Sequence, residues 1–173
     1  MIAYCLFCQT NRCGAIAAQL ELRGEVTRAF SPKIIRRQRK QGVNMEKCYD
    51  LLPGYVFVYT REALSDFRAF SGIDGLLRRI GDAEDGWRLA GGDYDFAMNL
   101  LQKDGRVGQI ALFQEGDTVR LTDPLFNGCS GTVEQIDHRK QRAKVVYRFA
   151  GMDCFTWIAC EMIKKAEDKT ETR

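Results

Sequence analysis

The stretch Leu51-Leu52-Pro53-Gly54-Tyr55-Val56-Phe57-Val58-Tyr59 constrains the fold more than any other part of the chain. Pro-Gly marks a turn, and behind it comes a run of aromatic and β-branched residues, the types that sit best on a pleated surface. Side chains alternate along a strand, so Tyr55, Phe57 and Tyr59 share one face and Val56 and Val58 share the other. A strand apolar on both faces is central in a covered sheet, or else one face serves a partner. The chain must therefore supply neighbouring strands and something to cover at least one face.

The sequence before this run offers both. Ala3–Cys8 reads as a buried strand. Asn11 is placed to cap a helix whose apolar positions Cys13, Ile16, Ala17 and Leu20 follow the 3.6-residue period and whose end falls near Gly24. Val26–Phe30 is a short apolar strand ending at Ser31-Pro32. A polar, basic stretch with Gly42 in its middle follows, with the form of a projecting hairpin or loop. After the central run, Ala63, Phe67 and Phe70 suggest a helix and Ile73–Ile80 a strand region. Phe96, Ala97, Leu100 and Leu101 suggest a helix starting near Asp93 and ending before Gly105. Lys103–Gly108, with two glycines and few apolar anchors, reads as a linker.

From about Phe113 the style changes. Thr118–Thr122, Thr132–Ile136, Ala143–Arg148, Phe155–Ala159 and Met162-Ile163 are short strand candidates punctuated by turns, the pattern of a small closed barrel. Its interior would be built on Val119, Leu121, Val133, Ile136 and Val145. The boundaries expected are residues 1–102 for the first unit, 103–112 for the linker, 113–166 for the barrel and 167–173 for a disordered polar tail. With 173 residues, 45% hydrophobic and 28% charged, the chain has enough apolar material for two such cores.

No uncharged apolar run approaches the ~20 residues of a membrane span, and the start lacks the basic region of a secretory signal, so a cytoplasmic protein with no membrane partner is expected. The seven cysteines, an odd number, are then expected as reduced thiols. Cys5-x2-Cys8-x4-Cys13 has the look of a metal motif, but residues three apart on a strand point to opposite faces and no second Cys/His pair completes a tetrahedral site. The single histidine, His138, has no neighbouring nucleophile, and no phosphate loop or paired-carboxylate pattern occurs. The expectation is a protein without catalytic residues, metal or cofactor.

Charge is more informative than its net value of +3. Residues 1–112 carry 16 Lys and Arg against 13 Asp and Glu, whereas residues 113–173 carry 10 of each. Lys33, Arg36, Arg37, Arg39, Lys40 and Lys47 cluster around one acid, Glu46. Arg139, Lys140, Arg142, Lys144 and Arg148 cluster beyond His138 with no acid between them. Such clusters are either solvated faces or contacts for nucleic-acid phosphates, and their segregation favours the second. Phe126, beside Asn127-Gly128, is either an aromatic offered to a partner or one that closes the barrel end.

Two motifs carry a family likeness. Leu52-Pro53-Gly54-Tyr55-Val56-Phe57-Val58 resembles the Pro-Gly-Tyr signature of NusG-type transcription elongation factors. Glu115–Val133, with Gly131 as its characteristic glycine, resembles their KOW motif. Both come in the family's order and at its usual separation. The resemblance implies an α+β fold: an N-terminal NGN domain, a four-stranded antiparallel sheet with flanking helices, joined to a C-terminal SH3-like β-barrel, the KOW domain.

It also implies partners. NusG-type N-domains hold the β′ clamp helices of RNA polymerase through an apolar patch, which by position falls here on Phe7, Leu52, Pro53, Gly54, Tyr55 and Leu77. Ser65, Asp66 and Arg68 lie where relatives approach the β gate loop or the DNA, including upstream DNA. The barrel of a general NusG meets Rho or ribosomal protein S10, and that of specialised relatives binds RNA. The segment His138–Val145 resembles that of the specialised LoaP branch, which recognises an RNA hairpin and promotes antitermination. On this likeness His138, Arg139, Lys140, Arg142, Lys144 and Arg148 would face a nascent RNA hairpin and Phe126 a partner. Leu52 in place of the usual aromatic, Ala3 in place of tryptophan and Pro124-Leu125-Phe126 in place of Gly-Pro-Phe depart from the general pattern and suit a specialised paralog. The alternatives are a housekeeping NusG and a free-standing KOW-type RNA-binding or ribosome-associated protein.

Overall fold

The computed structural model describes residues 1–64, 66–115 and 118–164; the expectations for Ser65 and for the 167–173 tail lie outside the described residues. In chain order the elements are β1 (Ile2–Cys8), α1 (Cys13–Glu21), β2 (Val26–Phe30), β3 (Lys33–Lys40), β4 (Val43–Asp50), β5 (Tyr55–Thr60), β6 (Leu76–Ile80) and α2 (Gly91–Gln102). There follow β7 (Arg106–Val107), β8 (Ile110–Glu115), β9 (Thr118–Leu121), β10 (Thr132–Asp137), β11 (Arg142–Phe149) and β12 (Met152–Lys164). The architecture is the α+β arrangement expected.

The turn-plus-strand run becomes β5, the centre of an antiparallel sheet ordered β2-β5-β1-β6. Every one of its residues is buried. Its Val56 and Val58 pair with Leu6 and Tyr4 and lie under α1, whose Ile16, Ala17 and Leu20 complete that cluster. Its aromatic face, with Ala3 and Cys5 from β1, is covered by α2, and the Tyr59 hydroxyl donates to the Ala97 carbonyl at 2.7 Å. Of the two readings of that face, burial holds for Phe57 and Tyr59, both fully inaccessible.

Local chemistry departs from expectation at two places. A 3-10 turn, Thr10–Arg12, precedes α1, so Arg12 rather than Asn11 occupies the cap position, with no side-chain capping bond. The helix expected over Ala63–Phe70 is only a 3-10 turn, Phe67–Phe70. There Asp66 accepts from the Arg68 N–H and the Ser71 hydroxyl donates to the Arg68 carbonyl, side-chain bonds that compete with a longer helix.

The barrel is a five-stranded sheet ordered β10-β11-β12-β8-β9, curled so that β9 approaches β10. β11 alternates cleanly, with Ala143, Val145, Tyr147 and Phe149 inward. The two strands expected over Phe155–Ala159 and Met162-Ile163 are one, because β12 pairs antiparallel with β11 and then continues in parallel beside β8. The expected linker is folded in. Arg106 and Val107 pair in parallel with Lys33 and Ile34, Val107 is fully buried, and Ile110 and Leu112 belong to the core.

A single buried cluster therefore runs from the aromatic face of β5 through Phe96 of α2 into the barrel. Phe96 stacks on Tyr147 at 5.5 Å and lies 5.5 Å from Phe149 and 6.3 Å from Phe126. Phe149 in turn reaches 5.4 Å from Phe57. Polar contacts frame the seam: both Asp93 carboxylate oxygens accept from the Ala150 N–H, Asn99 Nδ2 donates to the Pro124 carbonyl, and Lys103 pairs with Asp123 at 3.0 Å. No helix among the described residues is long and apolar enough to cross a membrane.

Candidate nucleic-acid interface

The even positions of β11 point outward and carry Arg142, Lys144 and Arg148. Cross-strand neighbours supply the counter-charges that their own segment lacks. Arg142 pairs with Asp137 at 3.3 Å, Lys144 with Glu134 at 2.5 Å and Arg148 with Asp153 at 3.5 Å. Asp137 also accepts from the Lys140 backbone N–H, which with Arg142 holds its carboxyl below the usual range. His138, Arg139 and Lys140 occupy the exposed β10–β11 turn. The structure thus gathers the six residues on one sheet face and its turn, although three of the cations are already partly neutralised.

That face holds two residues the sequence reading did not single out. Trp157 and Phe155 of β12 lie opposite Lys144 and Val146, and Phe155 is 64% exposed. Arg142 stacks over Trp157 at 4.5 Å and Lys144 Nζ stands 4.7 Å over Phe155. The signal was available as alternation: Thr156 and Ile158 between and beyond them are buried, so the aromatics face out.

Phe126 goes the other way. It is 1% exposed and packs 5.4 Å from Tyr147, so of its two readings the structure realises the core one; an inward ring between two other aromatics is not offered to a partner.

The basic stretch after Pro32 is the hairpin β3–β4. Arg36 stacks at 4.4 Å over Tyr49 and donates from Nη2 to the Trp157 carbonyl at 2.7 Å, tying the hairpin to the barrel. Arg37 and Arg106 both approach Glu46, at 3.5 and 3.6 Å.

The apolar patch assembles only in part. Phe7 is half-buried, meets Tyr55 edge-on at 5.2 Å and carries Arg78 at 5.4 Å over its ring. Gly54, at φ +88°, lies so close beneath Phe7 that a Cβ would meet the ring at 2.8 Å, which is why the turn needs glycine. Pro53 is exposed and Leu77, in the irregular stretch of the β1–β6 pairing, is 57% exposed. Leu52 and Tyr55 are buried, and Tyr55 lies 5.9 Å from Phe149 of the barrel. A groove of about 1150 Å³ lined by Leu77, Arg78, Trp87, Asp93, Ala150 and Met152 runs between β6 and the β11–β12 turn. Asp66 and Arg68 are exposed, pair with each other at 2.8 Å and border a separate groove beside β2.

Cys5 lies in the cluster on one face of the sheet and Cys8 and Cys13 in the cluster on the other. Among the described residues no three His, Cys, Asp or Glu side chains are grouped as a metal site.

No family model matches the chain. It is 27% identical over 128 residues to the transcription termination/antitermination protein NusG of Buchnera aphidicola subsp. Baizongia pistaciae, covering 73% of this chain and 71% of that one. The protein of the same name from Rickettsia conorii is 26% identical, covering 61% and 56%, and that from Escherichia coli 28% identical, covering 66% and 64%. A solved structure described as domain interaction in Thermotoga maritima NusG matches with a TM-score of 0.53 at 14% identity, over 91% of this chain and 92% of that one. In sequence the chain is similar to NusG proteins, and in fold to the Thermotoga one. The sequence alignments span between 56% and 71% of these three relatives, so sequence likeness covers part of each NusG protein while the fold match covers nearly all of the Thermotoga one. Within this NusG-type chain, β1–α2 correspond to the expected NGN arrangement and β8–β12 to the KOW barrel.

Proposed function

We propose that this NusG-type chain is a non-enzymatic elongation and antitermination factor of the cytoplasm. Its unit 1–102 binds the β′ clamp helices of RNA polymerase and suppresses pausing, and its barrel, 113–166, binds RNA. The observation that carries the reading is the end of the NGN sheet where Pro53 and Leu77 are exposed and Arg78 stands over the half-buried Phe7 ring. An apolar edge with a cation beside it suits the side of a helical coiled coil. Tyr55 backs this patch, meeting Phe7 edge-on and packing against Phe149 of the barrel at 5.9 Å. Asp66 and Arg68 would approach the gate loop or DNA.

Binding of the full chain to bacterial core RNA polymerase tests this. Leu77→Glu places a charge at the edge without touching the core and should weaken binding about tenfold, the loss typical of an interface anchor. Glu62→Ala, exposed away from that edge, should leave it unchanged. Equal binding by wild type and Leu77→Glu contradicts the assignment. A second reading, a general factor coupling to Rho or the ribosome, is favoured by the name its relatives share. Transcript read-through separates the two: a general factor acts on most operons, a specialised one on few.

A further inference from the structure

The two basic clusters, far apart in sequence, form one surface. Ile35, Arg37 and Glu46 of the hairpin, Arg106, Gly108 and Gln109 of the connecting segment, and Lys140, Gln141 and Ala159 of the barrel line a single groove of about 490 Å³. The hairpin is tied to the barrel by the Arg36 bond to the Trp157 carbonyl, and within the barrel the Cys160 N–H donates to the Gln141 carbonyl at 2.9 Å. Arg37, 86% exposed, and Arg106 share the one carboxylate of Glu46 at loose distances, and Lys140 has no ion-pair partner among the described residues. The groove therefore keeps a positive surplus. At the barrel end it runs on from Ala159 to the same outer face of β12 that carries Trp157 and the exposed Phe155, each with a cation held against its ring.

We propose that this groove is a composite site for an unpaired RNA strand, built jointly by the NGN hairpin and the KOW barrel. The proposal rests on the RNA-binding reading of the barrel and extends it to the N-terminal unit. The charge surplus takes the phosphates, and the exposed ring of Phe155 stacks a base. Bases in a duplex have their faces occupied, so this ring selects unpaired nucleotides. Gln109 and Gln141 add amide groups able to pair with a 2′-hydroxyl, the group by which RNA differs from DNA.

Fluorescence anisotropy of the full chain with a labelled, unstructured 20-nucleotide RNA tests it, with the same sequence as DNA and a fully paired RNA hairpin as comparisons. Arg37→Glu, Arg106→Glu, Lys140→Glu and Phe155→Ala alter exposed side chains, and circular dichroism checks that each variant folds. All four should weaken RNA binding by about fivefold or more, since a stacked base or a phosphate contact is commonly worth that much. The DNA and the paired hairpin should bind more weakly than the RNA strand. If Lys140→Glu weakens binding while Arg37→Glu and Arg106→Glu do not, the barrel reads RNA alone and the composite site is wrong. If no variant changes binding, both the composite site and the barrel reading fail. DNA binding as tight as RNA overturns the assignment to RNA.

Discussion

Gly92 at the start of α2 and Gly128 in the barrel loop meet backbone to backbone, so closely that a Cβ on Gly92 would collide with the Gly128 carbonyl group. A Cβ on Gly128 would in turn meet the Asp95 Cβ at 2.7 Å. Gly92→Ala must therefore push the NGN unit and the barrel apart, and a loss of about 1–3 kcal/mol is expected in urea unfolding, the usual cost of overpacking. Gly14→Ala is the contrast. Gly14 lies in α1 with open space where its Cβ would stand, so alanine should stabilise by about 0.5–1 kcal/mol.

The shared aromatic cluster predicts cooperative unfolding. Phe96 is fully buried against Phe57, Phe126, Tyr147 and Phe149, so neither unit keeps its core if the other leaves. Calorimetry should show one transition for the whole chain. Phe96→Ala should cost about 3–5 kcal/mol, as for other large aromatic deletions. Two transitions in the wild-type protein would show that the seam contributes little.

At Asp93 the charge and the hydrogen bond have opposite effects. Burial holds its carboxyl above the ordinary range, against the opposing pull of the Ala150 N–H. Between the unfolded and the raised folded pKa the native state binds more protons, so stability at this group rises as pH falls through that window. Asp93→Asn keeps an acceptor for Ala150 and removes the charge. It should match or exceed wild-type stability at pH 7 and flatten the acid-side dependence. Asp93→Ala orphans the N–H and should lose about 1 kcal/mol. Urea titrations of the three proteins at two pH values decide; equal damage from both substitutions would mean that the charge itself holds the seam.

Thiol reactivity should follow burial. Cys48 on β4 is exposed, whereas burial pushes the Cys8 and Cys129 thiols up to about 12 and raises Cys5 as well. Since the thiolate is the reactive form, an aromatic disulfide reagent should label Cys48 first. Cys48→Ser should abolish the fast phase, with Cys5, Cys8, Cys13 and Cys129 reacting on unfolding.

Where the determinants are local, the sequence announced them. The alternation of Tyr55–Tyr59 and the inward positions of β11 follow from two-residue periodicity, and the Pro53-Gly54 turn and the basic hairpin from their turn residues. What stayed hidden is set by distant neighbours. Nothing near Ile110 shows that it will pair with Cys160, which is why the segment before Phe113 read as a linker. The cluster from His138 to Arg148 contains no acid in sequence, yet Glu134, Asp137 and Asp153 face it across the sheet. Phe126 shows the same limit: a Phe beside Asn-Gly has the marks of a turn, and only α2 arriving from elsewhere in the chain covers it. Of the candidate patch, Gly54 meets Phe7 only because β1 pairs beside β5, and the burial of Tyr55 depends on Phe149.

The most direct test of the account is single-round transcription by bacterial RNA polymerase on a template bearing a leader and a downstream terminator, with and without the full chain. Read-through should rise with added protein, fall back with Leu77→Glu, and fall in part with Lys140→Glu. Termination unchanged at saturating protein on every template tried, with no retention of the chain on the elongation complex, would contradict it.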